Sequence, residues 1–195
     1  MALSKGWLIG LVIFAIIAFF VLLVGGYFLT SYNSLVKMDE SINAAQKEID
    51  NQLQRRYDLI PNYVNTVKGY ASHEKELFEH IADARAKLAG NTSTQEKLQA
   101  NQELSGFLSR LLVIVENYPE LKANENFLRL QDELAGTENR LANARRRYNE
   151  DVQQYNAAIR KFPKSIIAGM FGFEKREYFE VPEEAKTVPQ VDFGN

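Results

Sequence analysis

The feature that most limits what this chain can fold into is a long uncharged run near its amino terminus. The run, WLIGLVIFAIIAFFVLLVGGYFL, extends from Trp7 to Leu29. As a helix it would be about 34 Å long, at about 1.5 Å per residue, and a bilayer's hydrocarbon core is roughly 30 Å thick. Trp7 lies at one end and Tyr27 and Tyr32 at the other, where interfacial aromatic residues are expected. The run predicts a transmembrane helix over residues 7–29.

A cleaved signal peptide is the alternative interpretation of this run. Its apolar core would be about 7–15 residues long and would be followed by a small-x-small cleavage site. The run is longer than that, and Gly25-Gly26 before Tyr27 and Phe28 makes a poor cleavage site. We therefore expect a retained single-pass anchor, preceded by a short tail over residues 1–6.

The charges that flank the run bear on the orientation of the anchor. Lys5 and the amino terminus precede it, and Lys37 and Lys47 follow it among acidic residues. Because acidic side chains count for little in the positive-inside rule, the two sides are nearly balanced. A short leading tail with one lysine is typical of a signal anchor, which would place the body outside the cytoplasm.

Composition excludes several classes of protein. The 195 residues are 46% hydrophobic and 25% charged, as in folded chains, and the net charge of -2 gives no reason to expect a nucleic-acid partner. The absence of cysteine excludes disulfides, thiolate metal sites and cysteine nucleophiles.

Beyond the anchor, apolar residues recur at helical spacing. In the first predicted helix, residues 34–89, the spacings are 7, 4, 7, 4, 3 and 4 as far as Ala71, which is one face of a helix. The residues of this face, called the first-helix stripe below, are Ile42, Ile49, Leu53, Ile60, Val64, Val67 and Ala71.

Two further helices are predicted. A capping box at Ser93–Glu96 precedes one over residues 95–117, and another is expected over residues 124–161. The predicted fold class is all-α: an N-terminal transmembrane helix followed by an antiparallel bundle of long coiled-coil-like helices over residues 30–162. The second helix is too short to cover the first along its whole length. Part of the apolar stripe on the first or the third predicted helix would then need another partner, and a second copy of the chain is the obvious candidate.

A proline lies inside the first predicted helix, in RRYDLIPNYVNT. Either one helix ends at Ile60 and another starts at Pro61, or a single bent helix continues through. Ile60 has no side-chain oxygen to cap a new helix, and the stripe keeps its phase to Val64, which favours one continuous, kinked helix. The proline would leave the carbonyl of Tyr57 without its amide partner, at a cost of about 3 kcal/mol. Such a cost suggests that packing or a partner uses the bend.

Charged residues flank this proline, and two interpretations of them stay open. They form a contact between subunits, or Arg55 pairs locally with Asp58. The first set of candidate interaction residues is Arg55, Arg56, Asp58, Ile60, Pro61 and Val64.

The stretch FPKSIIAGMFGFEKREYF, Phe162 to Phe179, is rich in apolar residues but has no helix stripe long enough to bury them. It either covers the end of the bundle or lies on a membrane or a neighbouring chain. The second set of candidate interaction residues is Ile166, Ile167, Phe171, Phe173, Tyr178 and Phe179. An acidic, proline-punctuated end completes a predicted tail over residues 163–195.

No motif predicts a catalytic or metal site. His73 starts like an H-E-x-x-H zinc motif, but the second histidine is missing, and three ligands on one helix, His73, Glu76 and His80, rarely close a tetrahedron. A G-x-S-x-G elbow and a glycine-rich phosphate loop are absent. Arg145 to Arg147 is interpreted as a solvated, ion-paired face, with lipid phosphate or a protein partner as the alternative. We expect no enzyme activity, no cofactor and no metal.

Three blocks of the sequence resemble the LemA family of bacterial single-span membrane proteins. They are YNSLVKMDESINAAQKEIDNQLQRRYDLIPNYVNTVKGYASHE, ENYPELKANENFLRLQDELAGTENRLANARRRYNEDVQQYNAAIRKFP and GFEKREYFEV. The resemblance implies an anchor in the bacterial inner membrane, a helical-bundle body and a role in shaping or organising membranes. It also implies a link to membrane peptidases or envelope maintenance, and it brings no catalytic residues.

The predicted function is accordingly a non-enzymatic, membrane-anchored helical scaffold. It would self-associate and organise or remodel the bacterial membrane, with the lipid bilayer and further copies of the chain as partners. The alternative is an adaptor that binds a membrane peptidase or another cell-envelope enzyme.

Overall fold

The computed structural model describes residues 5–71, 73–90 and 92–179, and every regular element in these ranges is an α-helix. The predicted all-α class is confirmed. The helices are α1 (Lys5–Lys68), α2 (Lys75–Ala89), α3 (Thr94–Val115), α4 (Pro119–Lys122), α5 (Glu125–Arg160) and α6 (Lys164–Phe171). The last part of the predicted tail, residues 180–195, lies outside the described residues.

The chain divides into two compact units. The anchor unit comprises Met1–Ile42 and Glu150–Glu177, and the bundle unit comprises Asn43–Asn149 and Tyr178–Asn195. Helices α1 and α5 therefore each contribute one part to each unit.

In the bundle unit, α2 runs antiparallel to α1. The Lys68 ammonium, at the end of α1, lies 5.2 Å from the ring centre of Phe78, near the start of α2. The Arg85 guanidinium, farther along α2, lies 3.8 Å from the ring centre of Tyr57, which is earlier in α1. The side chains that α2 buries share one face and are Phe78, Ile81, Ala84 and Leu88.

Helix α3 runs parallel to α1. Near its start, Thr94 Oγ1 accepts a hydrogen bond from Gln46 Nε2 at 3.1 Å. Farther along both helices, Arg56 Nη2 donates a hydrogen bond to Ser105 Oγ at 3.2 Å. The later residue of α1 thus contacts the later residue of α3, which shows that the two helices are parallel.

Helix α5 runs antiparallel to α1 and completes the bundle unit. Phe127, near its start, stacks on Tyr63 with 5.1 Å between ring centres. Arg140, farther along, donates from Nε to Gln52 Oε1 at 3.3 Å. The four long helical segments α1, α2, α3 and α5 thus alternate in direction, as in an up-down-up-down four-helix bundle.

The prediction of one helix over residues 34–89 is wrong, because the structure divides this range into α1 and α2. The amides of Tyr70 and Ala71 both bond to the Val67 carbonyl, and the helical pattern then stops. Gly69 favours this end, since glycine is unfavourable in a helix by about 1 kcal/mol relative to alanine. In the sequence, the break between α1 and α2 is marked by the phase change in the apolar pattern between Ala71 and Leu77.

Because α2 runs back along α1, it can cover the first-helix stripe. Every stripe residue is buried, and none is more than 8% exposed. Burial of each Ile, Leu or Val side chain of this kind contributes about 1.5–3 kcal/mol. The inference that the stripe needs a second copy is therefore wrong, because α2 supplies a helix that the three-helix prediction lacked.

The connection from α2 to α3 agrees with the sequence. Gly90 is the C-cap of α2, and Ser93 is the N-cap of α3. Ser93 Oγ accepts a hydrogen bond from the Glu96 amide, and the Glu96 carboxylate accepts one from the Ser93 amide at 2.9 Å. The hydrogen bonds from the Ser93 backbone and hydroxyl lower the pKa of Glu96. The predicted capping box is confirmed.

In the anchor unit, the apolar run forms the N-terminal part of α1. Its large side chains are exposed, including Phe14 at 70% and Leu22 at 73%. By length and composition, α1 includes a segment able to cross a membrane. A small core follows this segment, with Leu35, Ala158, Ile167 and Ala168 buried at its centre and Phe28, Tyr32, Met38, Ile159 and Phe173 packed against it.

Candidate functional site

The first candidate site surrounds Pro61, which lies inside α1. The helix continues through it, so the predicted continuity is confirmed, and the bend itself stays a prediction. Since proline has no amide hydrogen, the carbonyl of Tyr57 loses its helical partner. Arg85 Nε, from α2, donates a hydrogen bond to this carbonyl oxygen at 3.1 Å. Helix α2 thus supplies the donor that the proline removes.

Arg56 is the buried charge of this site. Its side chain is 3% exposed and forms an ion pair with Glu138 of α5. Its Nη2 also donates to Ser105 Oγ of α3, while its Nε has no hydrogen-bond partner among the described residues. Burial lowers the pKa of Arg56 to about 10. The guanidinium therefore connects three helices of the bundle at one level.

Arg55 and Asp58 lie at the surface, each with a partner of its own. Arg55 is 3.8 Å from the Glu133 carboxylate of α5. Asp58 accepts a hydrogen bond from Gln54 Nε2 at 3.0 Å. Local pairing of Arg55 with Asp58 is therefore not what the structure shows. An exposed ion pair of this kind contributes about 0–1 kcal/mol.

The apolar members of the first set are internal. Ile60 is 1% exposed and Val64 is 8% exposed, and Pro61 is half-buried. Tyr63, on the same helix, is also buried, and burial raises its pKa to about 12. Of the six candidates, only Arg55 and Asp58 are exposed enough to meet another molecule.

The second set of candidates divides between core and surface. In the anchor unit, Ile167 is buried, whereas Ile166 is 54% and Phe171 is 50% exposed. The Phe171 ring nevertheless contacts α1, with its centre 4.7 Å from that of Tyr32. Phe173 is half-buried, and its ring centre lies 5.9 Å from that of Tyr32.

The last two candidates belong to the bundle unit. Tyr178 is 42% exposed. Phe179 is half-buried, and its ring centre lies 4.3 Å from that of Tyr148 on α5. Asn149 holds the Phe179 backbone as well, because its Oδ1 accepts from the amide at 2.9 Å and its Nδ2 donates to the carbonyl at 3.0 Å.

A matching pair of hydrogen bonds occurs in the anchor unit. Asn156 Oδ1 accepts from the Arg176 amide at 2.9 Å, and Asn156 Nδ2 donates to the Arg176 carbonyl at 2.8 Å. The Arg176 guanidinium also pairs with Asp39 of α1 at 2.8 Å. The sequence reasoning missed both asparagines. The two asparagines are seven residues apart, which is two turns of α5, and the residues that they hold, Phe179 and Arg176, are three apart. Seven helical residues and three extended residues both span about 10 Å, so this spacing was the signal available in the sequence.

The two histidines do not lie on one helix, as the sequence had suggested. His73 lies in the connection before α2, outside any helix. His80 lies on α2, where its ring stacks on Phe107 with 5.2 Å between centres, and its Nε2 is 3.7 Å from Glu76 Oε1. Within residues 5–71, 73–90 and 92–179, no group of three or more His, Cys, Asp or Glu side chains could hold a metal ion.

Comparison with known proteins agrees with this architecture. The chain is 28% identical over 192 residues to the magnetosome protein MamQ of Magnetospirillum gryphiswaldense, with 84% of this chain and 71% of that protein covered. It is 28% identical over 178 residues to the magnetosome protein MamQ 2 of Paramagnetospirillum magneticum, with coverages of 78% and 65%. It is 23% identical over 174 residues to protein LemA of Metamycoplasma hominis, with coverages of 87% and 80%.

The family comparison covers most of the chain. The sequence model of the LemA family matches residues 45–193. This range contains the Pro61 site, all of α2 to α6 and both asparagines that hold the carboxyl-terminal segment. The chain belongs to the LemA family.

Proposed function

We propose that this chain is a non-enzymatic, membrane-anchored scaffold that self-associates and organises or remodels the bacterial membrane. The observation that carries the proposal is that α1 combines two kinds of apolar segment. The same uninterrupted helix bears the exposed apolar run and most of the buried first-helix stripe. The apolar run and most of the first-helix stripe therefore lie on one helix, α1.

The polar groups of the body support a structural role rather than catalysis. The buried charge at Arg56 is used in contacts between helices, with Glu138 and Ser105. An open cavity of about 380 Å³ is lined by Lys68, Lys75, Phe78, Glu79 and Ala82. Among the described residues, this lining has no hydroxyl or thiol nucleophile of the kind that serine and cysteine hydrolases use.

Exposed apolar side chains of the bundle unit offer a surface for further copies. On α3, Leu112 is 37% and Val113 is 67% exposed, and on α5, Leu128 is 44% exposed. Removal of such apolar side chains from water favours protein association. The similarity to two magnetosome proteins supports a role in an organised cell structure.

Mass photometry and crosslinking of the full-length chain in mild detergent test the proposal. We expect oligomers for the natural chain and a shift to monomers for Val113→Asp. Gln102→Asp, at an exposed polar position of the same helix, is the matched control and should leave the oligomers unchanged. Electron microscopy of the chain in lipid vesicles should show ordered assemblies or altered curvature. Monomers at membrane-like densities and unaltered vesicles would contradict the scaffold.

The same exposed residues favour one alternative, an adaptor for a membrane peptidase or another envelope enzyme. In that case Val113 would contact a different protein instead of a second copy. The chain would purify with a stoichiometric partner that Val113→Asp releases, and it would not self-associate in detergent.

A further inference from the structure

Helix α6 leads towards the end of the apolar run. Near its start, Lys164 Nζ donates a hydrogen bond to Ser34 Oγ at 3.1 Å. At its other end, the Phe171 ring centre lies 4.7 Å from that of Tyr32 and 5.8 Å from that of Phe28. Helix α6 therefore runs beside α1 in the opposite direction, and its last turn is level with Phe28.

Phe28 marks a definite depth if the apolar run spans a bilayer. From Trp7 to Phe28 the helix rises about 32 Å, so Phe28 lies near the edge of a hydrocarbon core roughly 30 Å thick. Phe171, beside it, lies at the same depth. Gly172 then ends α6 in the left-handed region, with φ of 70°, and the chain turns back. Arg176 pairs with Asp39, which lies farther from the apolar run, so the returning segment leads away from the run.

The face of α6 that does not touch α1 is apolar as well. Ile167 and Ala168 are buried, yet Ile166 is 54% and Met170 is 67% exposed. Phe162, just before the helix, is 82% exposed. A helix that is apolar on both faces is poorly suited to water, whereas a lipid interface accommodates it.

Basic residues lie at the opposite end of this segment. Arg160 and Lys161 are exposed just before α6, and Lys164 is in its first turn. Cations beside an apolar face suit a membrane surface, because they can bind the phosphates of lipid head groups while the apolar residues enter the acyl region.

We propose that α6 and the turn at Gly172 insert into the head-group–acyl boundary of the leaflet beside the anchor. The chain then has a second, shallow lipid contact in addition to its transmembrane segment. This inference rests on the proposed function, since it requires that the apolar run spans the bilayer. Insertion into one leaflet widens that leaflet alone, and so gives the scaffold a means of bending the membrane.

Depth-dependent fluorescence quenching tests the insertion. The chain has no cysteine, so single cysteines can be introduced and labelled with an environment-sensitive dye. The test site is Met170→Cys, whose side chain is 67% exposed, and the control is Gln102→Cys, at an exposed position of α3 outside the proposed contact with further copies. Ile17→Cys, in the apolar run, reports on the anchor. The labelled full-length chains are reconstituted in vesicles of phosphatidylcholine and phosphatidylglycerol in equal parts, with circular dichroism as the check of folding.

We expect spin-labelled lipid with its label near the head group to quench the Met170 dye several-fold more than the Gln102 dye. Aqueous iodide should quench the two dyes in the opposite order. If the Met170 dye is quenched like the Gln102 dye while lipid quenches the Ile17 dye, the insertion is overturned and the anchor stands. If Met170 is shielded from both quenchers, α6 contacts protein and the insertion is again overturned. If lipid fails to quench Ile17, the anchor and the insertion are both overturned.

Discussion

Arg85 Nε donates a hydrogen bond of 3.1 Å to the Tyr57 carbonyl oxygen, the acceptor that Pro61 leaves without its helical amide donor. A helix-breaking residue is therefore tolerated within α1 because a side chain of α2 completes the backbone hydrogen bonding. The proline and the return of α2 along α1 are two parts of one arrangement.

Removal of the Arg85 donor should destabilise the bundle in a way that depends on Pro61. We expect Arg85→Met to lower the free energy of unfolding by about 1–3 kcal/mol, because a partly buried carbonyl is left unsatisfied. With Pro61→Ala, the new amide can bond to the Tyr57 carbonyl, so the same replacement should have a clearly smaller effect. Urea unfolding of the full-length chain in detergent, followed by circular dichroism, measures both. Equal losses in the two backgrounds would show that Arg85 acts only through the Tyr57 ring.

Removal of the carboxylate beside Arg56 should leave a buried cation without its ion pair. Because about half of the Glu138 side chain is exposed, water offsets part of the loss, and Glu138→Ala should cost about 2 kcal/mol. Adding Arg56→Met should recover most of this stability, since no charge then stays buried. Glu133→Ala, beside the exposed Arg55, is the matched control, with an effect of about 0–1 kcal/mol. Urea unfolding in detergent measures the loss in the free energy of unfolding for each variant. If Glu138→Ala loses no more than Glu133→Ala, the structural role of the Arg56–Glu138 pair is refuted.

Burial of Tyr63 should make the bundle sensitive to alkaline pH. Its pKa is raised from 10.0 to about 12, so below pH 10 both the folded and the unfolded chain keep the proton. Between pH 10 and about 12 only the unfolded chain releases it, and the free energy of unfolding falls by about 2–3 kcal/mol. Tyr63→Phe keeps the aromatic ring against Phe127 but has no hydroxyl to titrate. It should therefore not show this decrease in the free energy of unfolding.

Urea unfolding at a series of pH values measures the alkaline effect. Tyr70→Phe, at an exposed side chain, is the control substitution. The assignment to Tyr63 fails if Tyr63→Phe and the natural chain lose stability equally over this range.

Asn156 should protect the carboxyl-terminal segment from proteolysis. Asn156→Ala removes both hydrogen bonds to the Arg176 backbone, so this backbone should leave α5 more often and enter a protease more readily. We expect trypsin to cleave after Lys175 or Arg176 several-fold faster, as read by mass spectrometry. Gln153→Ala, exposed on the same helix, should not change the rate. Unchanged cleavage in Asn156→Ala would show that other contacts hold the segment.

Periodicity predicted α3 and α5 well, because each buries one continuous face. It failed at the break between α1 and α2, where the apolar pattern changes phase after Ala71. A phase change of this kind fits either a stutter within one helix or a turn between two. A turn forms when residues 75–89 can pack against an apolar surface of the same chain. The first-helix stripe provides that surface.

The structure gives the candidate residues near Pro61 partners within the chain that the sequence did not predict. Arg56 is three residues after Leu53 and four before Ile60, so its spacing placed it on the buried face. That signal pointed to an internal contact rather than a contact between subunits. The role of Arg85 was beyond the reach of local patterns, since it joins residues 28 apart in the sequence through a single side chain.

The Arg85 hydrogen bond also has a consequence for biosynthesis. The ribosome releases Tyr57 and Pro61 before Arg85, because chains are made from the amino terminus. Until α2 has emerged, only solvent or a chaperone can satisfy the Tyr57 carbonyl. A nascent chain stalled short of residue 85 thus carries an incomplete first helix, which is finished by a part of the protein made later.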